Sequence, residues 1–529
     1  MDTSVLTSFV GDPAFGAEAR RPALSLEDVE TWTYSELHEC TNRYANALQE
    51  LGVRYGDRVG ILLFNSLEYW ALHLAITKLG AIAVRLNFRL AAPELRYILQ
   101  DSECKVVCFH DILTPTIDDI RQDLPAHGYI CFQYDSSSCP PWAKAGTVML
   151  QASAADVAGT RPISPDDPAM LMYTSGTTGR PKGAVWTHAN TLWFGAIQVM
   201  QWGYDSTTVA LTSGPLYHVG AFEDLLLPAL LVRGHAVVTR SRGFAIDRLA
   251  RVLVARGVTD ALLYPFMIYD LLEKPELRDV QFPRLHRLVT GGSPILEWAV
   301  RELQRRFPSV ELIQTYGLTE GGGITTAMPD GEGWDRRESV GRPLPLTEVQ
   351  IVDEEHGAPV PVGDIGEILV RSPSVSPSYW GKPEESAQTF DKGWCRTGDL
   401  GRVSQGGYVT ITGRKKDMIK SGGENIYPIE IESVLAEHPD VLEAAVIGVP
   451  DSSYLEAVCA IVVPRKGASV STEGLVAHCR NHLAGYKKPR YVIWVDELPK
   501  TASGKVQKYV LREKYAGLGD SPSGQGSSG

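Results

Sequence analysis

Apolar residues recur along the first two thirds of the chain with two alternating periods. "WTYSELHECTNRYANALQELGV" has the three-to-four-residue spacing of a helix with one buried face. After it "DRVGILLF" predicts a strand, "SLEYWALHLAITKLG" a helix and "AIAVRLN" a strand. The alternation returns at "HAVVTR", "AIDRLARVLVARG" and "TDALLYP", and again at "LHRLVTGG", "PILEWAVRELQRRFP" and "VELIQTYG". Repeated strand-then-helix units predict largely parallel sheets covered by helices, an α/β fold. The oiliest stretch, "LLLPALLVRGHAVV", is broken by Pro228 and Arg233 and reads as core strand or helix, since no apolar run is long enough to span a bilayer.

Around "TEVQIVDEEHGAPVPVGDIGEILVRSPSVS" the pattern changes to strands separated by Gly, Pro and Asp turns, which predicts a smaller β unit. After "GYVTITGRKKDMIKSGGENIYP" come a helix, "IEIESVLAEHP", and two strands, "VLEAAVIGVP" and "AVCAIVVPR". This segment can form a compact α+β domain, with the charged "GRKKD" as its connection. The expected division is residues 1–415, then a small C-terminal domain over 416–516, then a Gly/Ser-rich flexible tail over 517–529. A chain of 529 residues exceeds one ordinary core, so at least two folding units are required.

A net charge of −12 argues against a nucleic-acid partner, whose phosphates select basic surfaces. Any anionic ligand must therefore be held locally. Eight cysteines and twelve histidines show no metal-ligand spacing, and Cys104 and Cys108 sit in a run that reads as buried strand. Reduced core thiols in a cytoplasmic protein are expected. The opening residues lack a basic segment followed by an apolar run, so no secretory leader is expected, and the chain lacks a C-terminal Ser-Lys-Leu address.

"YTSGTTGRPKGAVWTH", Tyr173 to His188, concentrates glycines and hydroxyls ahead of one lysine. Such a loop can wrap phosphate oxygens, although Pro181 before Lys182 excludes the Walker arrangement and a Gly/Thr-rich loop alone is more often a surface turn. Five further stretches supply context: "PLYH", "QTYGLTE", "WCRTGDL", "GRKKDMIKSGGENIYP" and "LPKTASGK". In order and wording the six together resemble the adenylate-forming (AMP-binding) superfamily, in its acyl-CoA synthetase branch, over nearly the whole chain. Chemistry explains the need for them. A carboxylate would have to expel oxide, so its oxygen first attacks the α-phosphate of ATP, and AMP then leaves when a thiol attacks; positioned cations and donors stabilise both steps.

The resemblance implies that Thr174, Ser175, Gly176, Thr177, Thr178, Gly179 and Lys182 hold the phosphates, and that Lys505 bridges the acid and the α-phosphate. It makes Glu320 the Mg²⁺ ligand, with Thr319 beside the α-phosphate. Gly291, Gly292 and Ser293 form the strip under the adenine, Tyr316 lies against its ring, and Asp399 and Arg414 contact the ribose. Lys416 takes the hinge position about which the C-terminal domain rotates to bring Gly422 and Gly423 to the pantetheine tunnel of coenzyme A. The acyl pocket is expected at His218, Val219, Gly220, Gly321 and Gly322.

Without the neighbouring motifs each residue has a plainer role: a solvated lysine, an exposed glutamate, a core tyrosine, a turn-capping aspartate, a basic surface run. For Gly321 to Gly323, room for a wide acyl group and a strand-ending turn weigh equally. His218, Val219 and Gly220 offer no carboxylate for an amine, which favours a non-amino acid despite nearby Glu223 and Asp224. Relatives commonly carry glycine where Ser372, Ser378 and Leu455 stand, and often an aromatic at Cys395. The expected function is an ATP-dependent acyl-CoA ligase using ATP, Mg²⁺ and coenzyme A. Loading of a carrier protein, a thioester half-reaction beside a partner ligase, and luciferase-like oxidation are the alternatives; a catalytically idle nucleotide-binding protein is a weak fourth. A homodimer stays open.

Overall fold

A computed structural model describes residues 6, 13–134, 138–152, 161–174, 180–293, 295–336, 338–353, 356–421, 424–451, 454–468, 471–500 and 505–520. The chain forms two compact units, Met1–Val349 with Leu369–Thr397, and Gln350–Ile368 with Gly398–Gly529. It passes from one to the other within the strands Glu348–Val352, Gly366–Arg371 and Trp394–Val403 of the small β unit.

The first unit holds two large sheets. In one, Pro22–Leu26, His235–Val238, Val209–Thr212, Asp260–Leu262, Arg287–Gly291 and Glu311–Leu318 run parallel, with antiparallel strands at both edges. In the other, Lys144–Ala145, Gly128–Phe132, Cys104–His110, Arg58–Leu62, Ile82–Arg85 and Pro168–Thr174 are parallel, and Lys182–Thr187 turns back on the last. The helix Tyr34–Glu50 begins at a capping box in which Thr33 and Glu36 satisfy each other's backbone N–H groups. The helix Leu67–Lys78 is apolar nearly all round and correspondingly buried on every side, with Trp70 stacked 3.6 Å from Phe222. One continuous core joins side chains of both sheets, including Ile61, Ala83 and Met170 from one and Leu24, Val237 and Leu312 from the other.

The expected α/β architecture is therefore present, and the oily "LLLPALLVRGHAVV" divides into the helix Leu226–Leu231 and the strand His235–Val238. All eight cysteines are free, and Cys104 and Cys108 are buried in one strand. No helix among the described residues is long and apolar enough to cross a membrane.

The second unit contains an α+β fold. Its strands run in the order Glu424–Ile426, Ile419–Ser421, Leu455–Pro464, Val441–Asp451, and Tyr491–Trp494 pairs parallel to Leu455–Pro464. Alternate residues of Leu455–Pro464 feed two cores, Val458, Ala460 and Val462 on one face and Cys459, Ile461 and Val463 on the other. Leu455 has φ 71°, a left-handed conformation, at a position where glycine had been the expected residue.

Candidate active site

The hairpin of Pro168–Thr174 and Lys182–Thr187 places Thr174 opposite Lys182 in antiparallel register, so the first and last residues of the phosphate motif are neighbours. Ser175, Gly176, Thr177, Thr178 and Gly179 lie outside the described residues. The hairpin base is fastened from one helix, Ala92–Asp101. Asp101 accepts from the Tyr173 hydroxyl at 2.8 Å and from Lys382 Nζ at 2.7 Å, while one turn earlier the Tyr97 hydroxyl donates to the Pro181 carbonyl at 3.1 Å. Residues on both sides of the motif are thus tied to one rigid element.

Glu320 meets this hairpin from the other sheet. Its Oε1 accepts from Thr174 Oγ1 at 2.8 Å and from the Tyr379 hydroxyl at 3.0 Å. Among the described residues no donor reaches Oε2. Trp186 Nε1 donates to the Thr319 carbonyl at 3.0 Å, which locks the residue before Glu320 against the strand that carries Lys182. The Lys182 ammonium stands 5.4 Å from the Tyr379 ring centroid, within cation–π range. Tyr379 is held there because its segment lies along Lys182–Thr187: Val185 N–H donates to the Ser378 carbonyl at 2.9 Å and Trp380 N–H to the Gly183 carbonyl at 2.8 Å. Burial and the Glu320 carboxylate push the Tyr379 phenol up, so it remains a donor across the neutral range.

One carboxylate with one oxygen fixed by two donors and the other facing none suits Mg²⁺, which usually takes one or two protein carboxylates and completes its shell with phosphate and water. No cluster of three or more acidic, histidine or cysteine side chains that could hold an ion exists among the described residues. A single-carboxylate site is what the donor set fits.

Gly291 ends the strand Arg287–Gly291, and exposed Gly292 and Ser293 follow it. Tyr316 lies half-buried on the neighbouring strand Glu311–Leu318, its backbone carbonyl accepting from Thr325 Oγ1 at 3.1 Å. Gly322 and Gly323 both take positive φ, 87° and 85°; a Cβ at Gly322 would stand 2.5 Å from Ser374 backbone atoms, and one at Gly323 2.4 Å from the Phe194 ring. The turn is therefore real, and at these two positions the absent side chains leave tight packing rather than open space. His218 caps the short helix Val219–Phe222, its Nδ1 accepting from Gly220 N–H at 3.2 Å.

In the second unit Asp399 and Arg414 face each other on paired strands and form an ion pair at 2.9 Å, with Asp399 buried and Arg414 half-exposed. Lys416 lies in a single turn, Lys415–Asp417, whose Asp417 is ion-paired with Arg512. Gly422 and Gly423 lie outside the described residues. Lys505 is exposed, next to Val506, which forms an isolated antiparallel bridge with Lys500.

Tyr379, Asp101 and Trp186 did not emerge as site residues from the sequence. Trp186 stands two residues before His188 in the phosphate stretch, and Tyr379 directly follows Ser378 in "SPSYW". Asp101 closes an ordinary amphipathic helix, and its role exists only through folding.

The profile of the AMP-binding enzyme family matches residues 14–380, and that of the AMP-binding enzyme C-terminal domain matches residues 430–505. A long-chain-fatty-acid–CoA ligase, FadD13, of Mycobacterium tuberculosis is 36% identical over 92% of this chain and 93% of its own length. A feruloyl-CoA synthase of an Amycolatopsis species is 37% identical over 91% of this chain and 94% of its own. Among solved structures, ATP-bound MatB from Rhodopseudomonas palustris superposes with a TM-score of 0.88 at 32% identity, covering 98% of this chain and 99% of that one.

Proposed function

Because the chain belongs to the AMP-binding enzyme family, in its acyl-CoA ligase branch, and is therefore an AMP-forming acid–thiol ligase, we propose that it couples a non-amino carboxylic acid to coenzyme A through an acyl-adenylate. The observation that carries this reading is the meeting of Thr174, Lys182 and Glu320, three residues from two separate motifs, at one hairpin base.

The two half-reactions ask different things of the protein. In the first, Lys182 neutralises and orients the β- and γ-phosphates as pyrophosphate departs, with Thr174 beside it, and Lys505 draws the acid's carboxylate and the α-phosphate together. Gly291 to Ser293 and Tyr316 bind the adenine, and Asp399 with Arg414 the ribose. Mg²⁺, held by Glu320, would supply charge neutralisation on the phosphates; Thr174 and Tyr379 keep the Glu320 carboxylate at one angle. In the second half-reaction the thiol of coenzyme A attacks the acyl carbonyl and AMP leaves, with Lys416 as the hinge for exchange of Lys505 against Gly422 and Gly423. His218, Val219 and Gly220 line the acyl side. Eight free thiols support a cytoplasmic location.

A panel of carboxylic acids tests the reading, with acid-dependent ATP–pyrophosphate exchange and thioester formation scored separately. Both signals from one acid are expected. Exchange without a coenzyme A thioester points to a carrier-protein acceptor, and thioester only from supplied acyl-adenylate points to a partner ligase.

A further inference from the structure

The segment that follows "PLYH" buries two carboxylates side by side, and the protein treats them differently. Glu223 is fully buried with its Oε2 paired, 2.8 Å from Arg85 Nη2, while its Oε1 has no partner among the described residues, and the Arg85 guanidinium also lies 4.9 Å from the Phe222 ring centroid. Asp224 is 6% exposed, and its Oδ1 has no hydrogen-bond partner among the described residues. The Tyr264 hydroxyl, on a side chain 8% exposed overall, also has none. Two unpartnered polar groups in a protein interior each cost free energy unless something supplies the missing bond.

At Gly220 the Tyr264 hydroxyl converges with the other oxygen of the Asp224 carboxyl, Oδ2, and with His218. The point where a Cβ would stand on Gly220 is 3.2 Å from the Tyr264 hydroxyl, 3.4 Å from His218 Nδ1 and 3.5 Å from Asp224 Oδ2. Gly220 and His218 are half-buried, so the cluster opens toward solvent on this side. It also sits where parallel sheets bind ligands, beyond the carboxyl ends of the strands: Tyr264 follows Asp260–Leu262, Gly220 lies in the segment after Val209–Thr212, and Gly291 of the adenine strip ends the next parallel strand, Arg287–Gly291. Behind Asp224 the backbone is strained. Leu225 takes φ 63°, and Leu226 N–H donates to the Asp224 carbonyl at 2.7 Å across it, a turn that non-glycine residues rarely adopt.

We infer that the acid this chain activates carries an uncharged hydroxyl group, which Asp224 and Tyr264 hold beside Gly220; the inference rests on the ligase reading above. Burial and the neighbouring Glu223 push the Asp224 carboxyl well up, which favours the protonated form that donates through one oxygen and accepts through the other. The Tyr264 phenol, pushed up by burial, is likewise neutral and both donates and accepts. A hydroxyl, itself donor and acceptor, completes both groups. An ammonium would require an ionised partner, and Glu223, whose carboxyl burial pushes up to about 7, is already taken by Arg85.

Matched acids test the assignment: para-hydroxybenzoate against benzoate, para-hydroxycinnamate against cinnamate, and an ω-hydroxy against a plain long-chain alkanoate, each scored by kcat/KM for ATP–pyrophosphate exchange. The hydroxylated member of at least one pair should be preferred by about tenfold or more, because the acid without it leaves both groups unpaired. Tyr264→Phe should collapse that ratio toward one, and so should Asp224→Asn if its thermal midpoint shows that it folds. Equal use of both members of every pair, or an unchanged ratio in Tyr264→Phe, overturns the inference while leaving the ligase reading in place. No exchange with any acid in a broad panel overturns the ligase reading itself.

Discussion

The Tyr379 hydroxyl donates to Glu320 Oε1 at 3.0 Å, on the same oxygen that Thr174 reaches at 2.8 Å. Three chain segments far apart in sequence therefore define the direction of one carboxylate. Hydrogen bonds to charged groups contribute about 1.5–3 kcal/mol, so Tyr379→Phe should lower kcat/KM for exchange roughly ten- to a hundredfold. It should also raise the Mg²⁺ concentration needed for half-maximal rate. A variant with wild-type Mg²⁺ dependence would mean that Thr174 alone sets the carboxylate.

Asp101 lies away from the reacting groups yet joins Tyr173 and Lys382. Asp101→Asn leaves the Lys382 ammonium without its counter-charge and loosens the hairpin base. The KM for ATP should rise about three- to tenfold, the scale of one or two weakened hydrogen bonds, with a smaller change in kcat. Steady-state kinetics with ATP varied at saturating acid makes the comparison.

In the proposed cycle Lys505 serves adenylation alone. Lys505→Ala should slow adenylation roughly a hundredfold or more, the usual effect of removing one transition-state donor, and leave thioester formation from supplied acyl-adenylate within a few-fold of wild type. Equal loss in both assays would contradict the two-conformation account.

Leu455 is 70% exposed with φ 71°. A left-handed leucine costs about 1–2 kcal/mol, and part of that is recovered by glycine after its larger unfolded-state entropy is counted. Leu455→Gly should stabilise the second unit by roughly 0.5–1 kcal/mol, read as a higher unfolding midpoint in urea.

Three histidines make the first unit sensitive to acid. Burial lowers His110, His188 and His235 to about 4, against 6.5 for a free imidazole. Their neutral rings are used: His110 Nδ1 accepts from Phe64 N–H at 2.9 Å, and His188 Nδ1 from Leu6 N–H at 3.1 Å. Between these two pH values the unfolded chain binds more protons, so stability is lost as pH falls through the window, on the order of 3 kcal/mol for each ring. Unfolding midpoints measured from neutral pH down to about 4 should show the loss, and His188→Gln should flatten the curve.

The periodic segments were legible because burial imposes period on sequence. "DRVGILLF", "SLEYWALHLAITKLG" and "AIAVRLN" became the strand Arg58–Leu62, the helix Leu67–Lys78 and the strand Ile82–Arg85. Thr174, Lys182 and Glu320 could be named from local wording, since the spacing of glycines and hydroxyls carries information about a loop's chemistry. Tyr379 could not, since a tyrosine after a serine-rich turn has no local mark of a carboxylate 59 residues away.

By itself the sequence determined which segments become strands and helices and that the chain is an adenylate-forming enzyme, and it marked the short motifs proposed to face the nucleotide. Those properties are written in neighbouring residues, through periodicity, turn chemistry and motif order. Only the tertiary structure decided that Tyr379 and Thr174 share one oxygen of Glu320, that Asp101 fastens the phosphate hairpin, and that Asp224 is left without the countercharge Glu223 has. Hydrogen bonds and ion pairs act over a few ångströms, so which groups meet depends on how two sheets pack and not on any distance along the chain.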